Sequence, residues 1–170
     1  MGILNVLINE ARIEKRLDEM AKEIDKDYEG KDLVLVGILK GSAMFMMELA
    51  KRLKSNVEFE FIEASSYDGT ESTGIIKVHN DITGSIEGKD VLVIEDLIDT
   101  GRTLEFIKEH LLMKKPASVK IATLLSKPSR RIFELDVDYI GFQIGDDFVV
   151  GYGMDYNQKY RNLPYIGRIE

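Results

Sequence analysis

Two stretches of this chain are apolar at every residue and only as long as a strand. One is Leu33-Val34-Leu35-Val36-Gly37-Ile38-Leu39 and the other is Val91-Leu92-Val93-Ile94. A strand with one wet face alternates apolar and polar residues. A strand with no polar positions is covered on both faces, the usual condition of a central strand in a parallel sheet.

Helical spacing separates such strands. Ile13, Leu17, Met20, Ala21 and Ile24 predict a helix over 10–28, with Asn9 placed to cap it and Gly30 to stop it. Further helices are expected over about 43–54 and 103–113, and strands over 57–64 and 119–125. Shorter extended pieces fall at 75–78, 139–144, 148–150 and 165–169. Residues 65–74 are small and polar without periodicity, which reads as a loop. Buried strands alternating with helices predict an α/β fold, an open and mostly parallel sheet flanked by helices. The words Glu29-Gly30-Lys31-Asp32 and Glu87-Gly88-Lys89-Asp90 precede the two apolar strands identically. They read as shared turn chemistry, because nothing else matches at that period. With 170 residues and no linker or composition shift, one domain over 1–170 is expected.

Composition excludes several classes of function. A hydrophobic share of 44% beside 31% charged residues is that of a folded chain. No apolar run approaches the roughly 18 residues of a membrane span. The formal net charge of −7 argues against nonspecific partners among nucleic acids or anionic membranes. The first eight residues lack a basic lead-in and a cleavage site, so no secretory signal is read. Gly2 does not read as a myristoylation site, since Val6 stands where Ser or Thr is needed. Without cysteine there is no disulfide or thiolate zinc site, and a cytoplasmic location is expected. An anionic ligand would therefore depend on a few local Lys and Arg residues together with a metal ion.

In parallel α/β sheets ligands sit beyond the carboxyl ends of the strands. Three polar clusters fall there: Lys40-Gly41-Ser42, the segment from Glu95 to Thr103, and Ser126-Lys127. The second is the most specific, Glu95-Asp96-Leu97-Ile98-Asp99-Thr100-Gly101-Arg102-Thr103. Backbone N–H groups at Thr100, Gly101 and Arg102, with the hydroxyls of Thr100 and Thr103, can wrap a phosphate at a helix N-terminus. Glu95 and Asp96 accept hydrogen bonds only, which suits the vicinal hydroxyls of a ribose. The plain alternatives are an acidic strand-to-helix turn here, and Ser42 as a simple helix cap in the first cluster.

The 91–103 stretch resembles the phosphoribosyl pyrophosphate (PRPP) signature of type I phosphoribosyltransferases. The likeness extends along nearly the whole chain to the hypoxanthine-guanine branch. It implies that family's sheet with a small hood built from the N- and C-terminal segments. It also implies transfer of phosphoribose from PRPP to hypoxanthine or guanine, giving IMP or GMP and pyrophosphate in purine salvage. On that resemblance Leu39-Lys40-Gly41-Ser42 is the pyrophosphate loop with a cis Leu39–Lys40 bond, and Ser66-Tyr67 belong to a lid. Asp99 would serve the purine N7 proton as the catalytic group, Lys127 would read the 6-oxo group, and Phe148 would stack on the base. The Val149 backbone would bond the base edge, and Arg161 would bind pyrophosphate. Glu95, Asp96 and Asp155 would help hold Mg²⁺, the implied cofactor.

Gly145 and Asp147 depart from the Ile-Pro-Asp-Lys-Phe run common in the branch, and Arg102 stands where relatives vary. His79 and His110 match no family position and read as surface or half-buried residues. The family usually forms dimers or tetramers. Rival readings are a PRPP-sensing regulator on the same fold and a transferase preferring xanthine. The intact Asp99, Lys127, Asp155 and Arg161 speak against the regulator.

Overall fold

The two apolar runs lie side by side at the centre of the molecule. The computed structural model describes residues 4–66 and 75–170, so Tyr67 of the expected lid lies outside the described residues. The elements are β1 (Leu4–Ile8), α1 (Glu10–Asp27), β2 (Leu33–Ile38), α2 (Ala43–Arg52), β3 (Val57–Ser66) and β4 (Ile76–Asn80). They continue with β5 (Asp90–Ile98), α3 (Arg102–Leu112), β6 (Ser118–Ser126), β7 (Tyr139–Gln143), β8 (Val149–Val150) and β9 (Ile166–Ile169).

Six strands form one sheet in the order β4-β3-β2-β5-β6-β7. Strands β3, β2, β5, β6 and β7 are parallel, and β4 is antiparallel at the edge. Every residue of β2 is buried, as its apolar run demands. Alternation along the strands divides the core into two layers. Leu33, Leu35, Leu92 and Ile94 pack under α1 and α2, against Leu17, Met20, Phe45 and Leu49. Val34, Val36, Val91 and Val93 pack under α3, against Leu104, Ile107 and Leu111. The five apolar positions of α1 are its buried stripe, and Asn9 caps the helix by accepting the Arg12 N–H at 2.9 Å.

Chain order reverses between β2 and β5: the chain leaves β2 toward β3 on one side, and β5 toward β6 and β7 on the other. Such a switch point opens a crevice at the carboxyl ends of its two strands. The turn after β2 and the turn after β5 are the two lips of that crevice. Above it lies a second sheet, β1-β9-β8, made from both ends of the chain. This is the expected hood.

Several expectations need correction. The strand expected over 91–94 runs from Asp90 to Ile98, so Glu95 and Asp96 are strand residues and not the start of a loop. Pairing of Glu95 with Thr123, Leu97 with Leu125 and Ile98 with Ser126 on β6 extends it past the point where apolar character stops. Residues 4–8, given no secondary structure from the sequence, form β1 because β9 supplies an antiparallel partner. Strand β8 begins at Val149, which leaves Phe148 outside it. Pro128–Arg130 form an unforeseen 3-10 turn after Lys127. Ser42 precedes α2 but makes no side-chain cap; its hydroxyl is buried without a partner among the described residues.

Candidate active site

Gly101 opens α3 with φ +90°, a left-handed conformation that admits glycine readily. The turn it makes leaves a cavity of about 210 Å³ lined by Glu95, Asp99 and Thr100 through Thr103. The first N–H groups of a helix have no partner within it, so this cavity is built to take an anion. Thr100 Oγ1 braces the turn by accepting the Arg102 N–H at 3.4 Å.

Across the crevice the turn after β2 carries the cis Leu39–Lys40 peptide. Gly41 lies directly against the Asp96 carboxylate, and a side chain there would overlap it. On its other side Gly41 meets Gly153 with the same tightness. Three segments distant in sequence thus meet at Gly41, through the Asp96 carboxylate on one side and the Gly153 backbone on the other. Arg161 Nη1 donates to Gly153 O at 2.7 Å, Nη2 donates to Gln158 Oε1 at 3.1 Å, and Nη2 pairs with Asp155 Oδ1 at 3.4 Å. Lys40 and Arg161 line one open cavity of about 450 Å³ with Ser65, His79 and Gln158.

A third cavity, about 280 Å³, joins Asp96, Asp99, Lys127, Phe148, Val149 and Asp155. Lys127 lines it and is only 7% exposed. No hydrogen bond or ion pair engages the Lys127 ammonium among the described residues. Its wall is Phe148, 52% exposed and set edge-on to Tyr156 at 5.7 Å. The structure brings the predicted residues to one rim; Ser66 ends β3, paired with Ile76, at the margin of the described residues.

Arg130 and Arg131 were not singled out by the sequence reading. Arg130 Nε donates to Asp99 Oδ1 at 2.8 Å, and its Nη1 reaches Asp146 at 3.5 Å. Arg131 donates to Asp99 O at 3.3 Å and to Ser126 Oγ at 2.7 Å. The N–H groups of Ile132 and Phe133 both donate to Thr100 O. Arg102 lies over the Phe133 ring at 5.3 Å. Residues 130–133 therefore clasp the turn that opens α3. Basic side chains after a short Pro turn were the only signal in the sequence.

Burial, and then the charge of neighbouring Asp96, push the Glu95 carboxyl well above its usual range. Cation or hydroxyl donors placed beside the pair would offset that penalty. Among the described residues no three acidic or imidazole side chains converge to hold a metal unaided. The donor set thus fits only a cation that keeps waters and draws most of its ligands from phosphate, the habit of Mg²⁺.

A helix start with free N–H groups, paired carboxylates, and a pocket of Lys127 and Phe148 thus lie along one rim. Residues 5–157 match the family model of the phosphoribosyl transferase domain. The hypoxanthine-guanine phosphoribosyltransferase of Staphylococcus aureus is 51% identical over 166 residues, 97% of this chain and 93% of that protein. The bifunctional TilS/HprT protein of Listeria monocytogenes is 47% identical over 97% of this chain, which spans only 26% of that longer protein. A crystal structure of a hypoxanthine-guanine phosphoribosyltransferase from Bacillus anthracis superposes with a TM-score of 0.94 at 44% identity, covering 100% of both chains. The chain belongs to the phosphoribosyl transferase family.

Proposed function

We propose that the protein transfers the 5-phosphoribosyl group of PRPP to hypoxanthine or guanine, yielding IMP or GMP and pyrophosphate. The observation that carries this reading is Lys127: a side chain only 7% exposed, its ammonium without a hydrogen-bond or ion-pair partner among the described residues, in one pocket with Phe148 and Asp99. An ammonium has donors only, so it donates to a 6-oxo group and rejects the 6-amino group of adenine.

The turn 100–103 holds the 5-phosphate, and Glu95 and Asp96 accept from the ribose hydroxyls. Lys40 and Arg161 face the diphosphate and stabilise the charge it gains as its bond to C1′ breaks. The purine lies between Phe148 and the crevice, with its edge on the Val149 backbone, and N9 bonds to C1′. Asp99 accepts the proton that leaves N7. Mg²⁺, held by PRPP oxygens with Glu95, Asp96 and Asp155 directly or through water, would add positive charge to the leaving diphosphate.

The test is an assay with PRPP, Mg²⁺ and each of hypoxanthine, guanine, xanthine, adenine and uracil. Turnover of the first two above the rest is expected. Dominant turnover of xanthine, or PRPP binding without turnover of any base, would overturn the reading.

A further inference from the structure

Strand β4 pairs with β3 through Glu63 with Asn80 and then Ala64 with Val78. One step along β3 is matched by two along β4, and the extra residue is His79. A bulge of this kind leaves its extra residue out of the ladder and re-aims its side chain, often beside a functional site. Here it sends the imidazole into the cavity that Lys40 and Arg161 line. The ring is held there by one contact, His79 Nε2 to Ser65 Oγ at 2.6 Å. No other hydrogen bond or ion pair engages it among the described residues.

A serine hydroxyl can donate to a neutral ring and accept from a protonated one, so this contact survives a change of charge. In the protonated ring Nε2–H points to Ser65, and Nδ1–H is left as a donor for a ligand. We infer that His79 is a third cationic binding residue for the diphosphate, beside Lys40 and Arg161. The inference rests on the reading of that cavity as the diphosphate site.

The charged groups around the ring differ in sign. Lys40 comes from the turn after β2, Arg161 from the segment before β9, and Glu63 from β3. Lys77 and Asp81 flank it on its own chain segment. Glu63 accepts the Asn80 amide at 3.0 Å, and Asp81 is engaged by His110 and Lys114, so neither acid is committed to His79. A bound diphosphate adds negative charge at the ring and favours its protonated form. By linkage, diphosphate then binds more tightly at acid than at alkaline pH.

The experiment compares wild type with His79→Ala and His79→Gln, measuring KM for PRPP from about pH 5.5 to 8.5, where imidazoles change charge. The ratio of variant to wild-type KM at each pH cancels titration of the substrate itself. It is expected to be about three- to tenfold at the acid end, between an exposed ion pair and a full charge-assisted bond, and near one at the alkaline end. A second readout is direct. The chain has 2 histidines, so one variant assigns both imidazole signals in a proton NMR titration. Inorganic pyrophosphate should raise the His79 midpoint and leave that of His110 in place. A flat KM ratio, or an unmoved His79 midpoint, overturns the inference. Lys40→Ala and Arg161→Ala separate the two levels: if neither raises the KM for PRPP, the diphosphate reading itself falls. If they do while the His79 ratio stays flat, only the role of His79 falls.

Discussion

An ammonium has donors only, so in a narrow pocket it selects a ligand that presents an acceptor. Lys127 is a nearly buried side chain with no ion-pair partner among the described residues, in a cavity it shares with Asp96, Asp99, Asp155 and Phe148. A charge-assisted hydrogen bond to a purine O6 contributes about 1.5–3 kcal/mol, one to two decades in equilibrium terms. Lys127→Ala should therefore raise the KM for hypoxanthine and guanine by a common factor of that size and narrow their lead over adenine. PRPP KM should hardly move, which steady-state kinetics at saturating PRPP would establish. Asp99 gives the complementary case. Its carboxylate is tied to Arg130 at 2.8 Å yet lines the same cavity as Lys127. If it accepts the N7 proton, Asp99→Asn lowers kcat by about 10²–10⁴ and changes PRPP KM little. A near-normal kcat in that variant would remove Asp99 from the proton transfer.

Strand β5 reaches four residues beyond its apolar run, and the extension has an energetic consequence. Pairing with β6 draws Glu95 into the protein beside Asp96, where burial opposes its charge. A carboxyl raised in the folded state is protonated alike in folded and unfolded chains at low pH. As pH rises through the ordinary carboxyl range the unfolded chain ionises first, so stability is lost until the folded-state titration is passed. Glu95→Gln removes that loss. Its Tm should exceed that of wild type at neutral pH and converge with it near about pH 4, where ordinary carboxyls regain their proton. A lower Tm at neutral pH would mean that Glu95 is an ion held by its surroundings. The same element marks what the sequence could and could not tell. Val91 through Ile94 announced a buried strand because periodicity reports burial of side chains. The strand's true end is set by backbone pairing to Thr123, Leu125 and Ser126, which periodicity does not report. Lys127, Phe148 and Asp155 were legible as candidate site residues through family likeness, whereas the Arg130 contact with Asp99 arises only when the 3-10 turn folds back.

At the scale of the whole molecule, β1 and β9 meet above the crevice and tie Val149 to the core. Ile8, 3% exposed, belongs to the same core layer as Val149 and Ile166, while β1 pairs with β9 and β9 with β8. Val149 is the residue whose backbone faces the base edge in the proposed mechanism. Leu111 on α3 is fully buried too, but in the layer on the opposite face of the main sheet. Truncating either side chain to Ala should cost about 2–5 kcal/mol. In a chain of this length that lowers Tm by about 2–4 °C for each kcal/mol. Their effects on catalysis should nevertheless part. Ile8→Ala loosens the hood and should raise the KM for the base more than the KM for PRPP, whose phosphate turn sits on the other lip. Leu111→Ala, at matched loss of Tm, should leave base KM unchanged. Thermal melts and two-substrate kinetics on the pair decide the matter. Equal shifts in base KM would mean that the hood adds only general stability, and that the position of Val149 is fixed by the main sheet alone.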